Sequence, residues 1–340
     1  MAAHIENQTK ATGGTLSWRR SAGRIARVYG LQIGIMCVLL VIWLIFVLGA
    51  PKTFLAPSIY AAYMSTIPFF AIAALPLTMV IIAGEMDLSF PSIMAVGMLV
   101  FISVFKATGR IELALIGCLL AGFLAGLLNG IIVVKLGIPS LVATIGTQFF
   151  WRGAVLVITG GNGTSLVPVK ETITRQLLVG RVANYLPAQM LWAIVVALLV
   201  WIFLNRHRFG AHVYLVGDNQ DSARLMGVNV DRTRMMVFAA VGLAAAFGGI
   251  LASLEVSYFW VTLGEGYLMR TLASVFLGGT SVFGGVGTVF GTFVGCFIIG
   301  AIEAGMVALG LTGFWTQLIY GLIIVISVSL QAALNKRLSR

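Results

Sequence analysis

Two carboxylates, Glu85 and Asp87, stand between two long apolar runs in the stretch AGEMDLSFPS, residues 83–92. Acids in this position can bind a proton or a cation, or they can accept hydrogen bonds from the first amide groups of a helix. Asp87 or Ser89 is placed to cap the helix that follows, with Pro91 in its first turn. The same groups would line a polar pathway if the backbone breaks at membrane depth. We expect the structural role for Ser89 and Pro91 and leave both roles open for Asp87.

Two arginines, Arg152 and Arg270, lie within or at the edge of apolar segments. A guanidinium that faces lipid costs several kcal/mol, so each arginine should face protein or water. We expect both to form salt bridges, and the candidate partners are Glu255, Glu265 and Glu303. Together with the acidic stretch, these arginines make up the candidate pathway residues, which are Glu85, Asp87, Ser89, Arg152 and Arg270.

The loop at residues 205–234 predicts a short helix with a signal at each end. Asp218 or Asn219 can cap its first amide groups, and Gly227 supplies the left-handed residue that ends many helices. A small face with one apolar ridge is formed by Ser222, Ala223, Leu225 and Met226. So short a helix cannot bury itself in a loop. It must lie on the protein's own surface or enter a groove on a partner, and the loop alone does not separate these alternatives.

The composition indicates the environment of these elements. Of the 340 residues, 59% are hydrophobic and only 10% are charged, and the mean hydropathy is +1.02. A water-soluble domain could not bury so much apolar surface, so we predict an all-α, polytopic membrane protein. The net charge of +11 is explained by basic cytoplasmic loops rather than by nucleic-acid binding. Cys37, Cys118 and Cys296 are far apart and have no disulfide or metal spacing.

We place ten membrane spans on the apolar stretches, near residues 31–50, 59–83, 91–106, 112–134, 138–158, 187–205, 235–254, 267–281, 288–309 and 314–333. The basic segment before the first span keeps the N-terminus in the cytoplasm, and an even number of spans returns the C-terminus there. Most of the 22 lysines and arginines then fall on the cytoplasmic side. Omitting the eighth span alone would put the C-terminal basic cluster outside, which favours the even number.

These spans define the predicted organisation of the chain. A cytoplasmic segment at 1–30 precedes a transmembrane domain at 31–333 and a cytoplasmic tail at 334–340. Within the domain, 205–234 is a cytoplasmic loop, and 159–187 is an external loop long enough to have structure of its own. The two sets of five spans have opposite orientations, as an inverted 5+5 repeat requires. Two glycine rows predict close helix packing: Gly122, Gly126 and Gly130, and Gly287, Gly291 and Gly295.

The sequence contains no recognisable catalytic or nucleotide-binding motif. The pattern G-x-x-x-x-G-K-[S/T] is absent, and the glycine-rich stretch GGTSVFGGVG lacks the lysine that such a loop needs. No cluster of histidines and cysteines and no nucleophile elbow is visible either. If ATP drives this protein, another chain hydrolyses it, and no catalytic residue, metal or cofactor is expected here.

The loop sequence RFGAHVYLVGDNQDSARLMGVNVDRTR resembles the coupling loop of permease subunits in bacterial ABC importers for monosaccharides of the ribose, xylose and galactose type. The stretch EMDLSFPS resembles the family's Gly-Ile-Asp-Leu-Ser segment, with matches at Asp87, Leu88 and Ser89. IPSLVATIGTQFFWRGAVLVITGG and FLGGTSVFGGVGTVFGTFVG are also similar to family segments and follow in the same order. The resemblance covers residues 50–330. It assigns coupling to an ATPase to Gly217, Ser222, Ala223, Arg224 and Gly227.

The resemblance implies a multi-pass protein of the bacterial inner membrane that works by alternating access. It further implies a pathway formed by two copies of the permease and a periplasmic sugar-binding protein that delivers the solute. Separate ABC ATPase subunits would hold ATP and Mg²⁺ at the cytoplasmic loops. The stretch GYLMRTLASVF departs from the ribose pattern, because Leu268 and Arg270 stand where acidic residues are usual. This departure argues against ribose and leaves other aldoses, polyols or cyclitols.

Two alternatives remain, one from another class of transporter and one from the same superfamily. A secondary transporter that uses Glu85 and Asp87 as proton or sodium sites would explain the paired acids but would leave the capped cytoplasmic helix without a purpose. A branched-chain amino-acid permease of the same superfamily is the nearer alternative. We therefore predict the membrane-spanning subunit of an ABC importer for a monosaccharide or a related polyol.

Overall fold

The computed structural model describes residues 30, 32–183, 185–311 and 313–338. The predicted cytoplasmic segment 1–30, apart from Gly30, and residues 339–340 of the predicted tail lie outside this part of the chain. The helices are α1 Gln32–Gly49, α2 Pro51–Phe54, α3 Pro57–Ile82, α4 Phe90–Thr108, α5 Ile111–Lys135, α6 Ser140–Thr159, α7 Ile173–Val179, α8 Ala188–Asn205, α9 Arg208–Asp218, α10 Gln220–Leu225, α11 Val230–Glu255, α12 Tyr267–Leu277, α13 Val289–Ala308 and α14 Gly313–Leu338. The short strands are β1 Thr164–Ser165, β2 Arg181–Val182, β3 Leu186–Pro187 and β4 Tyr258–Phe259.

Within the described residues, nine helices are long and apolar enough to cross a membrane. They correspond to nine of the ten predicted spans, so the all-α, polytopic fold is confirmed. The predicted eighth span, 267–281, is wrong as a continuous helix, because α12 has only 11 residues and extends for about 16 Å. Gly278 and Gly279 stop it, and Gly279 has a φ of 83°, which other residues rarely adopt.

The chain nevertheless passes from one end of the bundle to the other between α11 and α13. The first turn of α11 lies beside the end of α3, because Arg234 contacts Glu85. The first turn of α13 lies at the same end, because Thr292 forms a hydrogen bond of 2.7 Å with Thr78 near the end of α3. Since α11 runs away from this end, residues 256–288 must return to it. The even number of passes is therefore kept, although a short helix and irregular backbone make the eighth.

Helix α3 forms the centre of the bundle. Its most apolar 18-residue window is 94% buried, whereas the corresponding windows of α1 and α14 are 6% buried. A helix that is apolar on all sides belongs in the interior, and α8, α11, α12 and α13 pack around it. The glycine row at Gly122, Gly126 and Gly130 packs α5 against α11, where an added Cβ would meet backbone atoms of that helix. The predicted close packing is confirmed for this row.

The predicted external loop at 159–187 has structure of its own. It contains β1, a 3₁₀ turn, α7 and the β2–β3 hairpin, and β1 pairs antiparallel with β4 in the register Thr164 to Phe259. The β1–β4 pairing therefore holds this loop, which connects α6 to α8, against the residues that follow α11.

The two halves of the bundle are interrupted at corresponding positions. In each predicted set of five spans, the second helix has 26 residues, α3 in the first half and α11 in the second. Each is followed by non-helical backbone, residues 83–89 after α3 and 256–266 after α11, before the next helix begins. Paired interruptions of this kind agree with an inverted repeat.

Candidate functional site

Residues 83–89, here called the joint, connect α3 to α4 by non-helical backbone that begins at Gly84, where φ is 81°. The Asp87 carboxylate is buried, and its Oδ1 accepts hydrogen bonds from the Ser89 N–H at 2.8 Å and the Ser89 Oγ at 2.7 Å. Asn129 of α5 in turn donates its Nδ2 to the Ser89 Oγ at 2.6 Å. Asp87 thus closes an Asx turn at the entry to α4, while the Ser89 side chain makes no capping bond to this helix.

The joint's backbone finds further partners on α6. The Ser140 Oγ accepts from the Met86 N–H at 3.0 Å, and the Thr144 Oγ1 accepts from the Leu88 N–H at 3.1 Å. Non-helical backbone is tolerated inside a membrane protein only where protein or water satisfies it, and here hydroxyl groups do so. Sequence analysis did not identify Ser140, Thr144 or Asn129. Each of these residues could have been noticed as a polar side chain on an otherwise apolar helix, which needs a hydrogen-bond partner.

Glu85 is held by Arg234, which comes from the first turn of α11. The Arg234 Nε lies 2.6 Å from the Glu85 Oε1, and the two side chains are only 15% and 5% exposed. The sequence analysis grouped Glu85 with the candidate pathway residues and left Arg234 in the cytoplasmic loop. The structure instead pairs them across 149 positions of the chain, so that the joint is fastened to α11.

Arg152 of α6 contacts both the start of α4 and the non-helical residues 256–266 that follow α11. Its guanidinium donates to the carbonyl oxygens of Val261, Leu263 (2.8 Å) and Pro91 (3.3 Å), and it also faces the Glu265 carboxylate at 3.3 Å. One cation thereby contacts carbonyl groups of the interruption at residues 256–266 and of Pro91 in the first turn of α4, directly after the joint. The predicted salt bridge to Glu265 is confirmed, and the backbone contacts are the part that sequence analysis did not foresee.

Arg270 forms a separate polar site between α12 and α13. Its guanidinium contacts the Glu303 carboxylate at 2.6 Å, which confirms the predicted pairing, and the Tyr320 hydroxyl donates to the same carboxylate at 3.4 Å. Both charged side chains line a cavity of about 460 Å³ that Tyr63 of α3 also lines. The third candidate partner, Glu255, accepts instead a hydrogen bond of 2.6 Å from Gln189.

The short helix predicted in the 205–234 loop is present as α10, and both predicted ends are confirmed. The Asn219 Oδ1 accepts from the Ser222 N–H at 2.8 Å, which caps the first turn. Gly227 has a φ of 80°, and the Val228 N–H then donates to the Ala223 carbonyl at 3.0 Å. These bonds define the helix by local chemistry alone.

Of the four residues expected on one face of α10, Ser222, Leu225 and Met226 are exposed, and Ala223 is the exception. Ala223 is fully buried in a small apolar cluster with Val216, Val228 and Val230. The side chains of Leu225 and Met226 are 90% and 60% exposed. The expectation that Ala223 takes part in a docking face is therefore corrected, because its small side chain lets α10 pack closely on its own loop.

The other coupling candidates fall into two groups. Gly217 is a packing residue, because an added Cβ would overlap the carbonyl oxygen of Ile82 at the end of α3. Ser222 and Arg224 are exposed, and Arg224 pairs with Asp221 at 3.3 Å and with Asp231 at 3.8 Å. The assignment of Ser222, Arg224 and Gly227 to ATPase contact stays a prediction.

The chain is similar to known transport proteins over most of its length. A family model described as the branched-chain amino acid transport system permease component matches residues 59–328. The Autoinducer 2 import system permease protein LsrC of Klebsiella pneumoniae subsp. pneumoniae is 36% identical over 222 residues, which are 64% of this chain and 62% of that protein. The LsrC proteins of Escherichia coli strain K12 and Photorhabdus luminescens are 30% and 31% identical, over 89% and 74% of this chain and 89% and 75% of their own lengths. No solved structure gives a significant match.

Proposed function

This chain belongs to the family of branched-chain amino acid transport system permease components, which are multi-pass proteins of the bacterial inner membrane. From this membership and from its relatives, we propose that it forms the pathway of an ABC importer for a sugar-like solute. It is a transport subunit and not itself an enzyme. ATP and Mg²⁺ are bound by a separate ATPase subunit. A periplasmic binding protein delivers the solute, and a second copy of the permease completes the pathway.

The proposal rests on α10, a helix whose two ends are fixed by hydrogen bonds and whose C-terminal end exposes large apolar side chains. Leu225 and Met226 project from α10, whose termini are capped and whose inner face is packed. Large apolar side chains left exposed at a rigid helix end indicate a contact surface for a partner protein. An ion-coupled secondary transporter has no use for such a surface.

The loop that carries α10 is attached to the membrane bundle at the end of α3. Gly217 of α9 packs on Ile82, and the Gly285 N–H donates to the Ile82 carbonyl at 2.8 Å. The Tyr214 hydroxyl of α9 donates to the Gly287 carbonyl at 2.8 Å. A force applied to α10 by an ATPase would therefore reach both α3, which leads into the joint, and the turn before α13. Alternating access is driven through this attachment.

The sugar-like solute is supported by the relatives and by the chemistry of one cavity. The relatives' names specify import of autoinducer 2. A hydroxyl-rich solute needs hydrogen-bond donors and acceptors, and the 460 Å³ cavity offers Arg270, Glu303 and Tyr63. The Tyr63 hydroxyl is buried and has no hydrogen-bond partner among the described residues. It is available to a solute.

Uptake by proteoliposomes tests the proposal. The permease would be reconstituted with its ATPase and binding protein and given labelled autoinducer 2, ribose or leucine in turn. We expect ATP-dependent uptake of a sugar-like solute that persists when an ionophore removes the ion gradients. Preferential uptake of leucine would assign the chain to amino-acid import. Uptake without ATP that the ionophore abolishes would replace the ABC mechanism with ion coupling.

A further inference from the structure

An apolar groove separates α8 from α5 and α11 on the outside of the bundle. It encloses about 830 Å³, which is within the range of roughly 300–1,000 Å³ that small-molecule sites occupy. Its floor is α3, with Pro76 and Met79, and its walls are aliphatic and aromatic side chains of the three other helices. Representative wall residues are Phe123 of α5, Val196 and Leu199 of α8, and Leu243 and Ala244 of α11.

The groove has two chemically different ends. At the end towards the external loop, Trp192 and Phe247 close it by an edge-to-face contact with ring centroids 5.4 Å apart. At the cytoplasmic end, α9 bridges α8 and α11 and contributes His207 and Arg208, and α11 contributes Arg232. Apolar walls therefore lead to a basic mouth at the level where phospholipid headgroups lie.

The positive charge at this mouth is not neutralised within the described residues. None of the described residues that line the groove is acidic, and neither Arg208 nor Arg232 is in an ion pair with a described carboxylate. The neighbouring Asp231 is engaged with Lys135 at 3.5 Å and Arg224 at 3.8 Å. The His207 Nδ1 accepts from the Phe209 N–H at 3.1 Å, which leaves Nε2 as the nitrogen that donates.

We propose that this groove binds an anionic phospholipid of the cytoplasmic leaflet, with an acyl chain against α3, α8 and α11 and the phosphate held by Arg208 and Arg232. Basic pockets between membrane helices on the cytoplasmic side are suited to anionic headgroups. A soluble phosphate compound would meet the charge but would leave the apolar walls empty. A zwitterionic lipid would fill the walls, but its ammonium group would offset the attraction between its phosphate and the two arginines.

The bound lipid would have a structural effect on the loop that carries α10. Helix α9 joins α8 to α11 at the mouth of the groove and leads directly into α10. A phosphate bridging Arg208 of α9 and Arg232 of α11 holds this connection closed. The anionic lipid therefore stabilises the cytoplasmic loop in addition to sealing the groove.

Lipid binding to the purified full-length permease tests the proposal. Delipidated protein in detergent would be titrated with phosphatidylglycerol or phosphatidylethanolamine, with bound lipid counted by native mass spectrometry. Each arginine near an anionic lipid changes the affinity by about fivefold. We therefore expect Arg208→Gln/Arg232→Gln to bind phosphatidylglycerol about thirtyfold more weakly, with a smaller loss for phosphatidylethanolamine, whose net charge is zero.

Arg206→Gln is the matched control. Arg206 adjoins the same helix ends and is exposed, but its guanidinium lies over the Trp201 ring at 5.5 Å and does not line the groove. The control should bind phosphatidylglycerol like the parent, whereas Ala244→Phe, which fills the groove, should lose it. Equal loss in Arg206→Gln, no difference between the two lipids in the parent, or equal binding of glycerol phosphate alone would each overturn the proposal.

Discussion

The joint at residues 83–89 and the helix α10 are both polar interruptions between apolar helices. They differ in whether their side chains contact the rest of the chain or are exposed at the surface. In the joint, Glu85, the Asp87 Oδ1 and the backbone N–H groups of Met86 and Leu88 have partners within the chain, whereas the buried Asp87 Oδ2 has none among the described residues. In α10 the polar groups are also satisfied, but Leu225 is left 90% exposed.

The difference follows from the solvent of each region. Inside the bundle an interruption must find its hydrogen-bond partners in the protein or in a water-filled cavity, because lipid offers none. At the cytoplasmic surface, water solvates polar groups and apolar groups are the ones without a favourable environment. The exposed apolar side chains of α10 are therefore where we expect a partner to bind, whereas each carboxylate of the joint has one oxygen engaged within the chain.

The largest expected effect is the loss of ATPase binding when the exposed apolar residues of α10 are replaced. We expect Leu225→Asp/Met226→Asp to abolish co-purification with the ATPase while the permease remains folded. If the two side chains are interface anchors worth about 2 kcal/mol each, affinity falls roughly a thousandfold. Pull-down of the ATPase from solubilised membranes, normalised to permease, measures this effect.

Two control variants separate docking from folding. Val167→Asp changes an equally exposed apolar residue of the external loop and should leave ATPase binding intact. Ala223→Leu overpacks the buried face of α10 and should lower the amount of folded permease, because overpacking costs about 1–3 kcal/mol. Normal ATPase binding by the double variant would show that α10 is not the docking element.

The next largest effect is expected where the joint meets α11. Glu85→Gln leaves the buried Arg234 without its counter-charge, and breaking such a pair costs about 3–5 kcal/mol. We expect a large fall in the thermal stability of the purified permease, with partial recovery in Glu85→Gln/Arg234→Met. Unchanged stability in Glu85→Gln would mean that the ion pair does not hold the joint.

The sequence predicted features that depend on neighbouring residues. Asn219 and Gly227 act within a few positions of α10, so both of its ends could be assigned. The sequence also predicted salt bridges for Arg152 and Arg270 with Glu255, Glu265 or Glu303, and two of these three glutamates are the observed partners.

Features that depend on distant packing could not be predicted. Ala223 faces inward because Val216 and Val230 come together around it, and no local pattern encodes that contact. The partner of Glu85 lies 149 positions away. The eighth span was predicted from its apolar residues and from the charge balance of the loops, whereas α12 ends at Leu277 and non-helical backbone fills the rest of the stretch.

The smallest expected effect concerns Asp87 and distinguishes the two roles that its sequence left open. In the joint its Oδ1 accepts two hydrogen bonds from Ser89. Asp87→Asn retains an acceptor oxygen at that position and removes only the charge, so uptake should remain near the parental rate. Asp87→Ala removes the acceptor, and the loss of such a cap costs about 1 kcal/mol.

These two variants therefore give different readouts in the same proteoliposomes. Asp87→Ala should reduce the amount of inserted permease, while uptake per inserted permease stays close to that of the parent. A coupling-ion site requires the carboxylate itself, so under that role Asp87→Asn would be inactive at full abundance and any dependence on an ion gradient would vanish. The asparagine variant therefore decides whether Asp87 belongs with Glu85 as part of the joint's internal bonding or carries an ion during transport.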